Sequence, residues 1–247
     1  MTTFVLVHGA WGGPHTFRNV RRRLWAAGHE VFTPGLTGLG ERAHLISPLV
    51  DLRTHTSDLV NHLEFEDLRG VVLVGYSYGG MVVTDALRRI ADRVAHLVYL
   101  DAHLPGDGQS VDDLQSRVSV PLDGLEEAWL VPPRRPGYPS PNRAWLQERE
   151  RPHPRATMSQ PVILPQPLES YPFTRTYIKA TDSPRDPQRP HSFWVAADHA
   201  RTHPAWRYRE IATNHVIDDN DPDALVELLL ELTEPTGSTS TGSTTLR

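Results

Sequence analysis

Apolar and polar positions follow two rhythms along this chain. Short apolar, β-branched runs read as strands: "FVLVHG" (4–9), "HEVFTPG" (29–35), "GVVLVGYS" (70–77) and "VAHLVYLDA" (94–102). Between them, apolar residues recur at helical spacing. Phe17, Val20 and Leu24 mark a helix over about 16–27, closed by Gly28. Leu52, Leu59 and Leu63 share one face of a second helix, and Met81 to Ile90 form a third. Strands alternating with helices of this length predict βαβ units and a mostly parallel sheet. Strands that are apolar almost throughout predict helices on both faces of that sheet.

The rhythm breaks between residues 103 and 172. This stretch is rich in proline and arginine ("LVPPRRPGYPSPNR", "ERPHPR") and carries Trp129 and Trp145. It is too long for a plain loop, so it predicts a cap inserted over the sheet edge. The rhythm returns with "RTYIKAT" (175–181), a helical stretch near 186–200, a strand near "WRYREIA" and a last helix in "DPDALVELLLEL". The expected division is a core of 1–102 and 173–233, a cap of 103–172 and a disordered low-complexity tail of 234–247.

Composition narrows the reading further. The 247 residues suffice for one large domain, and the formal charge of −5 comes with no basic block that would predict nucleic acid as a partner. No segment approaches the roughly 18–20 apolar residues of a membrane span, and the start does not read as a signal peptide. The absence of cysteine excludes disulfides and a thiolate nucleophile and fits a reducing, cytoplasmic setting. Lys179 is the sole lysine, which leaves little room for a catalytic one. No metal or cofactor is implied, and a homodimer is left open.

The chemistry concentrates in Gly75-Tyr76-Ser77-Tyr78-Gly79, a G-x-S-x-G turn between a predicted strand and a predicted helix. Such an elbow forces its serine into strained backbone geometry and displays the hydroxyl at a helix N-terminus. Ser77 is the expected nucleophile. His8-Gly9-Ala10-Trp11-Gly12-Gly13 ends the first strand with a loop whose amides can approach a ligand. The backbone N–H groups of Ala10 and Tyr78 are the expected oxyanion donors. A histidine alone means little among thirteen. His215 stands out because it lies between the last strand and the last helix, where it can reach back to Ser77 as general base. His8 reads as structural, near the pocket; His29, His55, His62 and His96 read as surface or satisfied positions.

The acid has two places in the order Ser, Asp, His. Asp101 directly follows an apolar strand, where an unpartnered carboxylate would be costly; Asp182, with Asp186 as a weaker variant, lies in the more solvated "TDSPRDP" turn. That cost favours Asp101 as a partnered carboxylate and keeps Asp182 as the alternative. Trp11, Tyr76, Tyr78, Trp129 and Trp145 are the expected aromatic walls of a substrate site.

"FVLVHGAWGG", "TPGLTGLGERAHL", "GYSYGGMV", "LVYLDAHLP" and "ATNHVI" resemble the α/β-hydrolase superfamily, in particular bacterial esterases similar to plant methylesterases and hydroxynitrile lyases. The resemblance spans roughly residues 3 to 233. It implies an α/β-hydrolase fold with a Ser77, His215 and acid triad, the Ala10 and Tyr78 amides as oxyanion hole, and cleavage of a small, apolar or aromatic carboxylic ester through an acyl-enzyme. Plant members carry the acid in a Thr-acid-Asp pattern where this chain reads Thr181-Asp182-Ser183, while some bacterial relatives use the position of Asp101. The lyase branch has a threonine at the place of Gly9 and a lysine at that of Val216; both departures speak against cyanohydrin cleavage. Lactone or thioester cleavage, a lyase, and a catalytically idle ligand-binding protein stand as alternatives.

Overall fold

Six of the apolar runs pair into one sheet, and the helices between them cover it. The computed structural model describes residues 1–115, 129–133, 137–183, 185, 186, 188 and 191–232. In chain order the elements are β1 (Thr3–Val7), α1 (Arg18–Ala26), β2 (Glu30–Phe32), α2 (Leu52–Phe65), β3 (Val71–Tyr76), α3 (Gly79–Ile90), β4 (Val94–Leu100), α4 (Val111–Leu114), β5 (Leu130–Val131), α5 (Arg143–Arg149), β6 (His153–Pro154), α6 (Ala156–Ser159), β7 (Thr174–Ala180), α7 (Ser192–Thr202), β8 (Arg207–Ile211), α8 (Ile217–Asn220) and α9 (Pro222–Glu231). The sheet runs in the order β2-β1-β3-β4-β7-β8, and every pairing within it is parallel.

Successive strand residues point to opposite faces, and both faces find a core. Val5, Val7, Leu73 and Tyr99 pack with Leu52, Leu59 and Leu63 of α2 and with Val82 and Ala86 of α3. Phe4, Leu6, Val74 and Leu100 pack with Val20 and Leu24 of α1 and with Leu225 and Leu229 of α9. The continuous apolar runs are thus explained by cover on two sides. Crossovers of this kind bring the loops after the strands to one edge of the sheet, where ligands bind in open α/β sheets.

Two expectations shift in detail. α7 starts at Ser192, after the prolines at 184, 187 and 190, with the His191 side chain accepting from the Phe193 amide at its N-terminus; prolines lack the donors an earlier turn needs. The short α8 follows His215 directly and was not anticipated from "VIDDN". The stretch 103–172 holds β5, β6 and α4 to α6, and β5 pairs with β6 in an antiparallel ribbon. It is tied to the sheet side at several points. Trp11 Nε1 donates to the Val131 carbonyl and the Arg151 amide donates to the Trp11 carbonyl, each over 2.9 Å. The Ile163 amide donates to Asp85 Oδ1 over 2.8 Å. The expected tail of 234–247 lies outside the described residues. Among those described, no helix is long and apolar enough to cross a membrane.

Candidate active site

The serine turn follows from close packing of its glycines. A Cβ on Gly79 would lie 2.5 Å from the Val7 carbonyl oxygen, and one on Gly75 would lie 2.8 Å from Val83 Cγ2. Neither has room, so α3 sits against β1 and β3 more tightly than any side chain allows. Ser77 between them has φ of +56°, a left-handed conformation rare for a residue with a Cβ. That strain is held by the Ser77 amide donating to Leu100 O (3.2 Å) and its carbonyl accepting from the Gly80 and His103 amides. Strain maintained by its surroundings is a common mark of functional positions.

The loop after β1 abuts this turn. A Cβ on Gly9 would meet Ser77 Cβ at 2.9 Å and Oγ at 3.4 Å. Ala10 and Tyr78, whose amides are the expected oxyanion donors, line the same cavity as Ser77.

His215 arrives from the loop after β8. Its Nε2 is 3.0 Å from Ser77 Oγ and its Nδ1 is 2.6 Å from Asp101 Oδ2. A carboxylate only accepts, so Nδ1 carries the proton and Nε2 is free to accept from the serine hydroxyl. Asp101 also takes a strained positive φ, +40°, with its amide donating to Ile178 O over 2.7 Å. Burial alone would push its carboxyl up; the hydrogen bond and charge of His215, with Lys179, hold it below the usual carboxylate range. Of the two sequence candidates the structure brings Asp101 to the imidazole. Asp182 is exposed, with its amide bonded to Thr213 O over 2.9 Å, and Asp186 is likewise exposed and accepts from the Gln188 amide.

A model of the family described as "Alpha/beta hydrolase family" matches residues 4–228. The chain belongs to that family. One relative of this hydrolase is a carbendazim hydrolyzing esterase of Nocardioides sp. (strain SG-4G), 35% identical over 247 residues, covering 94% of this chain and all of that one. Salicylic acid-binding protein 2 of Nicotiana tabacum is 34% identical over 103 residues, 41% of this chain and 40% of the relative. The solved structure of the Arabidopsis methylesterase MES16 superposes with a TM-score of 0.74 at 24% identity, over 94% of this chain and 98% of that one, a likeness of fold.

In this α/β hydrolase two aromatic rings stack on the imidazole. Tyr76 lies at 4.9 Å and Phe193 at 5.2 Å between ring centroids, with interplanar angles of 26° and 25°. The Tyr76 hydroxyl also donates to the His215 carbonyl over 2.8 Å. Tyr76, expected as a substrate wall, therefore lines the cavity and braces the histidine as well. Phe193 was not anticipated, because its approach depends on the trajectory of α7 and no local pattern marks it. Lys179, which the sequence marks only as the sole lysine, contacts Asp101 directly.

The cavity above Ser77 encloses about 700 Å³, an ordinary size for a small-molecule site. Its walls are largely apolar, with Val111, Val131, Leu146 and Met158 joining Trp11 and Phe193 in the lining, and two ion pairs also line it, Arg155–Asp112 at 2.7 Å and Arg143–Glu150 at 2.8 Å. Trp11, Tyr76 and Tyr78 line it as expected. Trp129 and Trp145 stand outside its lining. The Trp145 ring is occupied by Arg149 of the same helix, 4.0 Å from its centroid, and by the edge of His15. The Trp129 carbonyl accepts from the Arg155 amide at the foot of the β5–β6 ribbon.

Two buried histidines support the site from behind. His8 Nδ1 donates to Gly9 O (2.8 Å) and its Nε2 accepts from the Leu36 amide (3.2 Å). His55 Nε2 donates to Thr37 O (2.9 Å) while its Nδ1 accepts from the Tyr78 hydroxyl (3.0 Å). Both rings are satisfied as neutral imidazoles; a second proton on His8 would meet the Leu36 N–H, and one on His55 would need the Tyr78 hydroxyl to turn from donor to acceptor. Burial accordingly lowers His8 to about 3 and His55 to about 4. A histidine depressed in the fold binds its proton more readily when unfolded, so stability rises with pH between the two values. The sign is that this stability is complete above about pH 6.5 and is lost progressively as pH falls towards 4. Denaturant melts should lose roughly 1.4 kcal/mol per pH unit in that window for each of the two, and His55→Gln should remove its own share of the slope.

Proposed function

We propose that this α/β hydrolase is a carboxylesterase that cleaves a small ester with an apolar or aromatic acyl part through an acyl-enzyme. The observation that carries the reading is the continuous relay from Asp101 Oδ2 through His215 to Ser77 Oγ, at 2.6 and 3.0 Å, beneath a largely apolar cavity. His215 takes the hydroxyl proton as Ser77 adds to the ester carbonyl. The Ala10 and Tyr78 amides receive the oxyanion, a contribution typically worth a factor of 10²–10³ in rate per donor. His215 then returns the proton to the leaving alcohol, and a water deprotonated by the same imidazole releases the acid. Asp101 fixes the tautomer and offsets the charge of the imidazolium.

The relatives named as esterases and methylesterases support a small alcohol as leaving group. Val216, which lines the cavity beside His215, offers no charge to a departing anion such as cyanide, which weighs against a lyase. The described residues of the stretch 103–172 act as the cap over the site, with the remainder of the described chain as its core. The lack of cysteine supports a cytoplasmic setting. The test is twofold. The protein should hydrolyse p-nitrophenyl acetate with a burst of nitrophenol equal to the enzyme concentration, and a fluorophosphonate should add to the tryptic peptide containing Ser77. Turnover without an adduct at Ser77 would sink the reading.

A further inference from the structure

The sole lysine of the chain lies against the carboxylate that orients the histidine. Lys179 and Asp101 side chains are each 1% exposed, and Nζ is 2.7 Å from Asp101 Oδ1. Nζ also donates to the Ala180 carbonyl and stands 4.2 Å from the centroid of the Trp194 ring. The other carboxylate oxygen belongs to His215. One buried carboxylate is therefore shared between a standing cation and the imidazole.

Charge counting gives this arrangement a consequence. With Lys179 present, the buried group is neutral when His215 is neutral and carries +1 when His215 is protonated. Without Lys179 the same two states carry −1 and 0. Net charge is what burial penalises, so the lysine tips His215 towards its unprotonated form, the form that can accept from Ser77. We propose that Lys179 is a positioning residue that acts through Asp101 to keep His215 available as a base, and that it pins Oδ2 against Nδ1 by holding Oδ1. This rests on the reading of Ser77, His215 and Asp101 given above.

Other titratable groups face the cluster and stay common to every variant. Tyr76 stacks on His215, and the Tyr177 hydroxyl bonds the Ala102 carbonyl. Asp218, pushed up to about 7 by burial, acts on Tyr76 from α8. Arg185 lies 5.1 Å from the Trp194 ring centroid and pairs with Asp198. His103 and His191 pack on Phe193.

The test is the pH profile of kcat/KM for p-nitrophenyl acetate in wild type, Lys179→Met, Lys179→Gln and Lys179→Arg, with Ser77→Ala alongside. Gln keeps a donor to Oδ1 without the charge, so it separates loss of the charge from loss of the hydrogen bond, which Met removes together. The acidic limb should move up by about one pH unit in Met and Gln, making them about tenfold slower than wild type at low pH and closer to it at high pH. Arg should leave the limb within a few tenths of a unit. A limb that stays in place in Gln, or moves equally in Arg, overturns the proposal while an inactive Ser77→Ala leaves the triad standing. An active Ser77→Ala overturns the triad, and this role for Lys179 with it.

Discussion

Ser77→Ala is expected to lower kcat/KM on an aryl ester by on the order of 10⁵–10⁶, with the fold intact. Removing the attacking oxygen of a serine relay costs about that much elsewhere, because histidine and acid have nothing left to activate. Alanine keeps the Ser77 Cβ, and the turn is held by backbone hydrogen bonds that alanine also keeps. The melting temperature should stay within a few degrees of wild type. A residual rate of about 10³ over water is expected from the oxyanion donors and binding alone. The measurement is initial-rate kinetics on protein purified free of host esterases, with thermal melts on the same samples. A variant within tenfold of wild type would remove Ser77 from the chemistry.

Asp101→Asn should cost about 10⁴ in kcat, since the amide can present its NH₂ to His215 and favour the wrong tautomer. Here the loss has a second component. The amide leaves the Lys179 ammonium without its carboxylate in a place that is 1% exposed, and orphaning a buried charge typically costs about 3–5 kcal/mol. Both activity and urea midpoint should therefore fall. Asp182→Asn, on an exposed turn, should keep kcat within about twofold and leave the midpoint unchanged. A severe rate loss in Asp182→Asn beside a near-normal Asp101→Asn would reverse the assignment.

The parts of this molecule that are local in sequence were legible in it. The strand runs, the glycines at 75 and 79 and the loop from His8 to Gly13 are contiguous patterns whose physics is fixed within a few residues. The sequence position of His215, between β8 and the final helix, matches its placement beside Ser77 and Asp101. What was not readable depends on how distant elements meet. Lys179 looked like an isolated basic residue because nothing in "RTYIKAT" says that alternate residues of β7 reach under the end of β4. Phe193 and Tyr76 stack on His215 from α7 and from the end of β3, a relation that exists only once the helices dock. Trp145 failed as a wall because an arginine four residues along the same helix takes its face, and Asp182 failed to join the imidazole because β4 arrives nearer than the turn after β7.

Trp11 joins the β1 loop to the segment above the cavity twice, through its indole to Val131 and through its carbonyl to the Arg151 amide. The residue immediately before it, Ala10, carries one of the two amides assigned to the oxyanion. On the proposed assignment, the loop that carries the Ala10 amide is thus hydrogen-bonded both to the β5–β6 ribbon and to the residues after α5, so substitutions at those two attachment points bear on the oxyanion donor as well as on the cavity wall.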